Sequence, residues 1–244
     1  MIIKPDHISS KYYDNFLSYQ IESGINDRIY HLYQRVKKLG LRSGSSVLEI
    51  GCGIGSLTSL LSKKIKHGNY EAMDASQKSI DFAEKHLRNS KLALTACDVL
   101  EYTPIHQPFD FILMFDVMEH IPKENYELLF SKISGWMNDQ SILVINIPNP
   151  EYILYDQRNQ PDVLQEIDQP VYIDRLLTVG KNTLLDLSYF ETYSIWVKND
   201  YQFLILKKHS AFKEVKMAET KTVLEKTLNR LKREWKNHRY TYPQ

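Results

Sequence analysis

The residues whose types and spacing most clearly suggest ligand binding form a glycine-rich stretch, VLEIGCGIGSLT, at residues 47–58. Gly51, Gly53 and Gly55 occupy alternate positions after a short apolar run, and Glu49 precedes them. Because glycine has no side chain, it allows tight turns and the close approach of a ligand. The stretch therefore predicts a strand, a turn that can cradle a nucleotide-like ligand, and a helix.

The glycine spacing separates two kinds of cofactor. A dinucleotide-binding fingerprint, G-x-G-x-x-G, needs a third glycine where this chain has Ser56. The observed order, E-x-G-x-G-x-G, instead resembles motif I of the class I S-adenosylmethionine-dependent methyltransferases. The resemblance implies S-adenosylmethionine as cofactor and S-adenosylhomocysteine as product. A tight turn that binds nothing is the alternative. The first set of cofactor contacts that the resemblance implies is Glu49, Gly51, Cys52, Gly53 and Gly55.

Acidic residues follow at the ends of the next apolar segments. Asp74 ends YEAMD, 19 residues after Gly55, where a carboxylate can accept hydrogen bonds from ribose hydroxyls. Asp98 in ACDV resembles the family's adenine-facing acid, and FDFILMFDVMEHIP at 109–122 resembles its fourth-strand motif. A turn or helix cap is the alternative for each acid. The further cofactor contacts implied by the resemblance are Asp74, Ala75, Asp98, Val99 and Phe115.

His120 is the candidate general base, because it lies just past the strand that should end beside the cofactor. A structural histidine that bonds loop backbone is the alternative. Glu119 resembles a metal-holding residue of some ubiquinone-pathway O-methyltransferases, but no acid cluster accompanies it in the sequence. We therefore expect no metal.

Two segments are candidates for closing and shaping the pocket. KYYDNF near the N-terminus resembles the tyrosine-containing lid of small-molecule methyltransferases. The resemblance implies that Tyr13 or Tyr12 closes over the cofactor carboxylate. Arg28 is a possible partner for that carboxylate or for an anionic substrate. Residues 149–175 follow a strand and should carry specificity. The candidate substrate-binding residues there are Tyr152, Tyr155, Arg158 and Asp168.

Strands alternate with amphipathic helices along the chain, which predicts a helix-covered, mostly parallel sheet. The fold expected is α/β: a Rossmann-like, doubly wound, seven-stranded sheet whose last two strands form an antiparallel hairpin, with an N-terminal lid helix and an extended C-terminal helix. The predicted strands are 46–50, 70–74, 92–98, 109–116, 141–147, 191–197 and 201–206, with a helix near 172–185.

Composition indicates the compartment and the partners to expect for the protein. The 31 basic and 30 acidic residues nearly cancel, so no overall basic charge points to nucleic acid. The two cysteines have no metal or disulfide spacing, which fits a reducing compartment. No apolar run approaches the length of a membrane span. These features predict a soluble, cytoplasmic protein.

The last part of the chain has a different pattern. We expect a methyltransferase domain at 1–208, with a lid at 1–40 and a core at 41–208, and a separate amphipathic helix in 209–244. Met217, Leu224, Leu228, Leu231 and Trp235 follow a short coiled-coil spacing. This pattern predicts self-association into a homo-oligomer. Docking on its own domain and contact with an anionic surface are the alternatives.

The function expected is transfer of a methyl group to a small polar acceptor, foremost a hydroxyl of a sugar, a glycan precursor or a secondary metabolite. An N-methyltransferase acting on a small amine and a non-catalytic, cofactor-binding scaffold are the alternatives. O-methylation and N-methylation require the same cofactor loop, so only residues that contact the acceptor can distinguish the two activities.

Overall fold

The computed structural model describes residues 17–87, 89–161, 164, 167–212, 214 and 222–239. The chain divides into two compact units, residues 1–209 and 210–244. The first unit contains a seven-stranded sheet with strand order β3-β2-β1-β4-β5-β7-β6. Its strands are β1 (Val47–Ile50), β2 (Tyr70–Asp74), β3 (Leu92–Ala96), β4 (Phe109–Phe115), β5 (Met137–Pro148), β6 (Leu185–Tyr193) and β7 (Tyr201–Lys208).

The first five strands are parallel, whereas β7 pairs antiparallel with both β5 and β6. The helices described in the first unit are α1 (Leu17–Ser23), α2 (Asp27–Lys38), α3 (Ser56–Leu61), α4 (Gln77–His86), α5 (Tyr126–Gly135), α6 (Pro150–Asn159) and α7 (Ile173–Asn182). The strand order reverses beside β1, so the carboxyl ends of β1 and β4 flank the crevice in which such sheets bind ligands. This arrangement confirms the predicted doubly wound fold with an antiparallel final hairpin.

Alternating side chains of the strands build two core layers. On one face, Leu48 and Ile50 pack with residues of α5 and α7. On the other face, Val47 packs with residues of α2 and α3. A sheet covered on both faces needs apolar side chains in both directions, which explains the nearly continuous apolar strands of the sequence.

Local capping sets several helix starts. The Ser79 N–H donates to Ser76 Oγ at 3.2 Å at the start of α4. At the start of α6, the Glu151 N–H donates to Asn149 Oδ1 at 3.0 Å and Pro150 opens the helix. Pro148 is thus the last residue of β5, and Pro150 is the first residue of α6.

The sixth strand differs from its predicted position. It spans Leu185–Tyr193 rather than 191–197, because the segment after Tyr193 curls into the hairpin turn. The buried carboxylate of Asp200 accepts the backbone N–H groups of Ile195, Trp196 and Val197, at 2.9, 2.9 and 3.2 Å. Those groups are consequently withdrawn from strand pairing.

In the segment 149–175, for which the sequence predicts a role in specificity, the first part is helix α6. In the second unit, helix α8 spans Val223–Arg239. Within the described ranges, no helix is both long enough and apolar enough to cross a membrane.

Candidate functional site

The glycine-rich loop joins β1 to α3 at the carboxyl edge of the sheet. Gly51, Gly53 and Gly55 have φ angles of 77°, 53° and 81°, in the left-handed region that favours glycine. The Gly51 and Cys52 N–H groups both donate to Met73 O, at 2.8 and 3.0 Å, which ties the loop to the end of β2. The predicted turn is therefore present, held at the crevice.

The surroundings of the three glycines leave little space for a side chain. A Cβ at Gly51 would collide with Val117 Cγ2, and one at Gly55 would lie 2.5 Å from Leu87 Cδ1. A Cβ at Gly53 would lie 3.0 Å from Gln20 Nε2. Backbone conformation and close packing thus both require glycine along the loop.

Helix α1 brings Gln20 to this loop, a residue that the sequence analysis did not single out. Gln20 Oε1 is buried and has no hydrogen-bond partner within the described part of the chain. A buried, unpaired acceptor is costly in a folded protein unless a ligand satisfies it. Its only sequence signal is a polar residue in the segment preceding α2. Tyr13 and Tyr12, the predicted lid tyrosines, lie outside the described residues.

Glu49 faces the interior beneath the loop. Its Oε2 accepts hydrogen bonds from Thr58 Oγ1 at 2.7 Å and from the Tyr70 hydroxyl at 2.5 Å. Burial raises the pKa of Glu49 to about 7. These bonds link β1 to α3 and β2, so the carboxyl side chain fixes the loop between them. Cys52 is also buried, and burial raises its thiol pKa well above the usual value.

Asp74 lies at the end of β2 with its carboxylate against the loop. One oxygen accepts the Gly53 N–H at 2.7 Å and the other accepts the Ser76 N–H at 2.9 Å. Burial raises the pKa of this carboxyl. Each carboxylate oxygen can accept a further hydrogen bond, so Asp74 can hold the loop and still bind ribose hydroxyls.

The remaining predicted cofactor residues have different surroundings. Ala75 is exposed beside Asp74. Asp98 is exposed, accepts the Leu100 N–H at 2.7 Å, and precedes the buried Val99. Phe115 is half-buried and packs on the core layer that contains residues of α2 and α3. Asp74, Asp98 and the glycine loop thus lie at the carboxyl ends of consecutive strands, as a nucleotide-binding edge requires.

A polar cluster occupies the carboxyl ends of β4 and β5. Asp116 directly follows β4 with a φ of 54°, which is uncommon for a residue with a side chain. Its carboxylate forms an ion pair with Arg28 of α2 and accepts from Asn146 Nδ2 at 3.3 Å. Asn146 Oδ1 in turn accepts from the Tyr193 hydroxyl at 2.6 Å. Arg28 is therefore engaged by a protein carboxylate, and its predicted contact with a ligand anion stays a prediction.

Glu119 and His120 continue this cluster. His120 Nδ1 lies 2.6 Å from Ile167 O and 3.1 Å from Asp168 Oδ1. Burial, with Asp168 nearby, raises the pKa of Glu119 to about 8, and Arg28 opposes the shift. Glu119 Oε2 is buried without a hydrogen-bond partner among the described residues. Burial raises the pKa of Asp74 and His120 partly opposes that rise, so the cluster lies within electrostatic reach of the cofactor loop.

The segment that carries Asp168 is hydrogen-bonded to residues 119–121. The Gln169 N–H donates to Glu119 O at 3.2 Å, and Gln169 Nε2 donates to Ile121 O. Gln157 Nε2 of α6 donates to Asp168 O at 3.0 Å. These contacts bring Asp168 to His120 across 48 positions of sequence.

The predicted substrate residues on α6 differ in their exposure. Tyr152 is half-buried and hydrogen-bonds Asp156, which is buried; burial and Asp168 raise the pKa of Asp156. Tyr155, 53% exposed, and Arg158 are exposed to solvent. Tyr152 is therefore linked to Asp168 through Asp156, whereas Tyr155 and Arg158 have no contact that joins them to this cluster within the described ranges. Asp156 was not in the predicted set.

Throughout the described ranges, no group of three or more His, Cys, Asp or Glu side chains has an arrangement suited to a metal ion. The cluster offers carboxyl groups that are separately engaged with Arg28, His120 and Tyr152.

A doubly wound sheet, a three-glycine turn after β1 and acids after β2 and β3 together define a class I S-adenosylmethionine-dependent methyltransferase. Comparison with known proteins gives the family. A family profile described as "Methyltransferase domain" matches residues 24–192, so the chain belongs to that family, which confirms S-adenosylmethionine as its cofactor.

Individual relatives differ in the atom that they methylate. The chain is 25% identical to (S)-coclaurine N-methyltransferase of Papaver somniferum over 205 residues, which are 77% of this chain and 56% of that protein. It is 33% identical to a ubiquinone biosynthesis O-methyltransferase of Bradyrhizobium diazoefficiens over 127 residues, 51% of this chain and 49% of that protein. The chain thus spans about half the length of these relatives.

A solved structure confirms the fold. An S-adenosylmethionine-dependent methyltransferase of Clostridium acetobutylicum aligns with a TM-score of 0.62 at 17% identity, covering 81% of this chain and 99% of that one. At this identity the likeness establishes the arrangement of strands and helices and leaves the acceptor to be argued from the site.

Proposed function

We propose that this chain transfers the methyl group of S-adenosylmethionine to the nitrogen of a small, basic amine. The observation that carries the proposal is the excess of carboxyl groups at the ends of β4 and β5. Arg28 is paired with Asp116 there, and His120 lies against Asp168. The acidic members of the cluster are Asp116, Glu119, Asp156 and Asp168.

Electrostatics favour a cation in this cluster. Burial raises the pKa of both Glu119 and Asp156, and the nearby Asp168 carboxylate adds to the rise of each, because a like charge disfavours the ionised form. An ammonium group bound among them would relieve this repulsion and lower both pKa values. A neutral hydroxyl would not. The similarity to the (S)-coclaurine N-methyltransferase of Papaver somniferum agrees with this preference.

Glu119 is suited to remove the proton of the bound amine. Burial raises the pKa of its carboxyl to about 8, and its buried Oε2 has no hydrogen-bond partner among the residues that the structure describes. A cationic acceptor would shift this carboxyl to the ionised form. The ionised carboxylate can then accept the N–H proton and expose the nitrogen lone pair. Bound S-adenosylmethionine supplies a methyl group activated by its sulfonium centre. The glycine loop and Asp74 orient the cofactor for in-line attack.

A hydroxyl acceptor is the second candidate, supported by the His120–Asp168 pair. A carboxylate at 3.1 Å from His120 Nδ1 can orient the imidazole ring. His120 would then remove the hydroxyl proton, as the sequence predicts.

A matched acceptor panel distinguishes these functions. Primary, secondary and tertiary amines and their hydroxyl counterparts are supplied with methyl-labelled S-adenosylmethionine, and the labelled product atom is identified by mass spectrometry and NMR. We expect label on nitrogen. Label only on oxygen would reject the amine proposal in favour of the second candidate. Cofactor binding without any S-adenosylhomocysteine formation would favour the scaffold alternative.

Two variants assign the proton acceptor. Glu119→Gln should lower turnover of the amine by about 10²- to 10⁴-fold, with the dissociation constant of S-adenosylhomocysteine nearly unchanged. His120→Ala should lower turnover less than Glu119→Gln does if the acceptor is an amine, and more than Glu119→Gln does if the acceptor is a hydroxyl. Glu124→Gln, an exposed change on the same segment, serves as the control.

A further inference from the structure

Helix α8 forms from its own local signals. The Thr222 N–H and hydroxyl donate to Glu225 Oε2 at 2.8 and 3.0 Å, and the Glu225 N–H lies 3.3 Å from Thr222 Oγ1. This reciprocal arrangement is a capping box, which starts a helix without help from the rest of the protein. Further along, Arg230 pairs with Glu234 at 2.9 Å.

An apolar stripe runs along this helix. Leu224, Leu228, Leu231 and Trp235 are 73, 49, 56 and 54% exposed. At 3.6 residues per turn they fall within a sector of about 60°. Met217, which the sequence pattern adds to the stripe, lies outside the described residues. Four large apolar side chains are thus presented together to the surroundings.

The rest of the helix surface is basic. Its 17 residues contain two acids, Glu225 and Glu234. Its basic residues are Lys226, Arg230, Lys232, Arg233, Lys236 and Arg239. Residues 211–244 contain nine Lys or Arg and four Glu in a chain of net charge +1, so positive charge is concentrated in this unit.

We infer that helix α8 binds the surface of an anionic lipid bilayer. Its stripe would enter the boundary between headgroups and acyl chains, while the basic side chains would contact the anionic headgroups. The helix would lie along the surface.

The charge pattern of helix α8 favours an anionic bilayer over a second copy of the helix or an anionic polymer. A second copy of the helix would bring a net basic surface against a net basic surface, and 17 residues are fewer than three heptads of a coiled coil. An anionic polymer such as RNA would neutralise the charges but leave the leucines in water. An anionic bilayer satisfies both features at once.

Flotation of the full-length protein with vesicles tests the inference. We expect binding to phosphatidylcholine mixed with phosphatidylglycerol to exceed binding to phosphatidylcholine alone by about tenfold or more, and to weaken at high salt. Arg233→Glu with Lys236→Glu should remove most of this difference. Leu228→Gln with Trp235→Gln should remove binding. Lys63 and Lys64 are exposed residues of the first unit, and Lys63→Glu with Lys64→Glu should leave vesicle binding unchanged.

Fluorescence reports on insertion of the stripe. In a Trp196→Phe background the remaining tryptophans are Trp235 and Trp136, which is only 7% exposed. Anionic vesicles should shift the emission to shorter wavelength, and Trp235→Gln should remove the shift. No vesicle binding, or equal binding to neutral vesicles, would overturn the inference.

Two other outcomes would reassign the stripe. A concentration-dependent dimer that Leu228→Gln dissociates, with no vesicle binding, would assign it to a second copy. Binding of an RNA oligonucleotide in the same salt, again without vesicle binding, would assign the basic surface to a polymer. Neither outcome depends on which acceptor the first unit methylates.

Discussion

Among individual residues, two side chains beside the glycine loop have acceptor atoms that a ligand could use. Asp74 holds Gly53 and Ser76 while keeping acceptor capacity. Gln20 approaches the same glycine with an oxygen that has no protein partner in the described ranges. We therefore expect these two side chains to make separate contributions to cofactor affinity.

Asp74→Ala should weaken S-adenosylhomocysteine binding by about 1 to 3 kcal/mol, because hydrogen bonds to the ribose and the bond that holds Gly53 are lost together. Isothermal titration calorimetry measures the change. Asp81→Ala on the exposed side of α4 is the control. Unchanged affinity in the Asp74 variant would show that another group binds the ribose.

Gln20→Ala should weaken S-adenosylhomocysteine binding about five- to tenfold, as expected for one neutral hydrogen bond. The unliganded protein should lose little stability, since Gln20 Oε1 accepts no hydrogen bond from the described part of the chain. Glu22→Ala, an exposed change on α1, is the control. Equal affinity in both variants would remove Gln20 from the cofactor site.

Glu119 makes stability depend on pH. Its folded-state pKa of about 8 is above the usual value of a glutamate, so the native state binds this proton more tightly than the unfolded chain. The stability contributed by the proton is present at low pH and is lost as the pH rises from about 4.5 to about 8.

The melting temperature of Glu119→Gln, measured relative to the unsubstituted protein, should therefore increase between pH 5 and pH 9, because the amide remains neutral. Glu49, whose pKa is raised to about 7, is present in both proteins and cancels from the comparison. A melting-temperature difference that does not change with pH would show that Glu119 titrates normally.

At the scale of elements, the site depends on connections that lie away from the chemistry. The segment with Asp168 is fastened to the Glu119 turn, while the β6–β7 turn is organised by the buried Asp200. The turn also contacts α6, since Asn149 Nδ2 donates to Asn199 O at 2.9 Å. The hairpin therefore supports the start of the helix that carries Tyr152 and Asp156.

Asp200→Ala should destabilise the first unit by about 2 to 4 kcal/mol, because the N–H groups of residues 195–197 lose a charged acceptor in a buried position. Urea unfolding measures the loss. Asp186→Ala removes an exposed pair with His209 and should cost less than about 1 kcal/mol. Similar losses in both variants would contradict the proposed role of the turn.

At the scale of the whole molecule, the cofactor site and helix α8 belong to different compact units. The glycine loop, the acids after the strands and the polar cluster all lie in residues 1–209. The two proposed activities, methyl transfer and lipid binding, can therefore be separated by truncation.

Truncation after Ser210 should give a folded protein that binds S-adenosylhomocysteine within about twofold of the full chain and does not bind anionic vesicles. Calorimetry and flotation measure the two properties. Light scattering of both proteins tests the predicted homo-oligomer in the same experiment. Loss of cofactor binding on truncation would contradict the separation of the two units.

Features that depend on local pattern could be predicted from the sequence. The strand–turn–helix at the glycines, the alternation of strands and helices and the final hairpin were all predicted, because periodicity and turns act over a few residues. The acids after β2 and β3 were predicted for a related reason: in a parallel sheet, strand-end residues necessarily share one edge.

The pairing of the polar side chains depends on tertiary contacts that local patterns do not encode. Arg28 meets Asp116 and His120 meets Asp168 across long stretches of sequence, and burial raises the pKa of Glu119. The shift of β6 toward residue 185 and the different exposure of Tyr152 and Tyr155 have the same origin. Strand limits and the inward face of a helix are set by what packs against them, and that packing comes from distant parts of the chain.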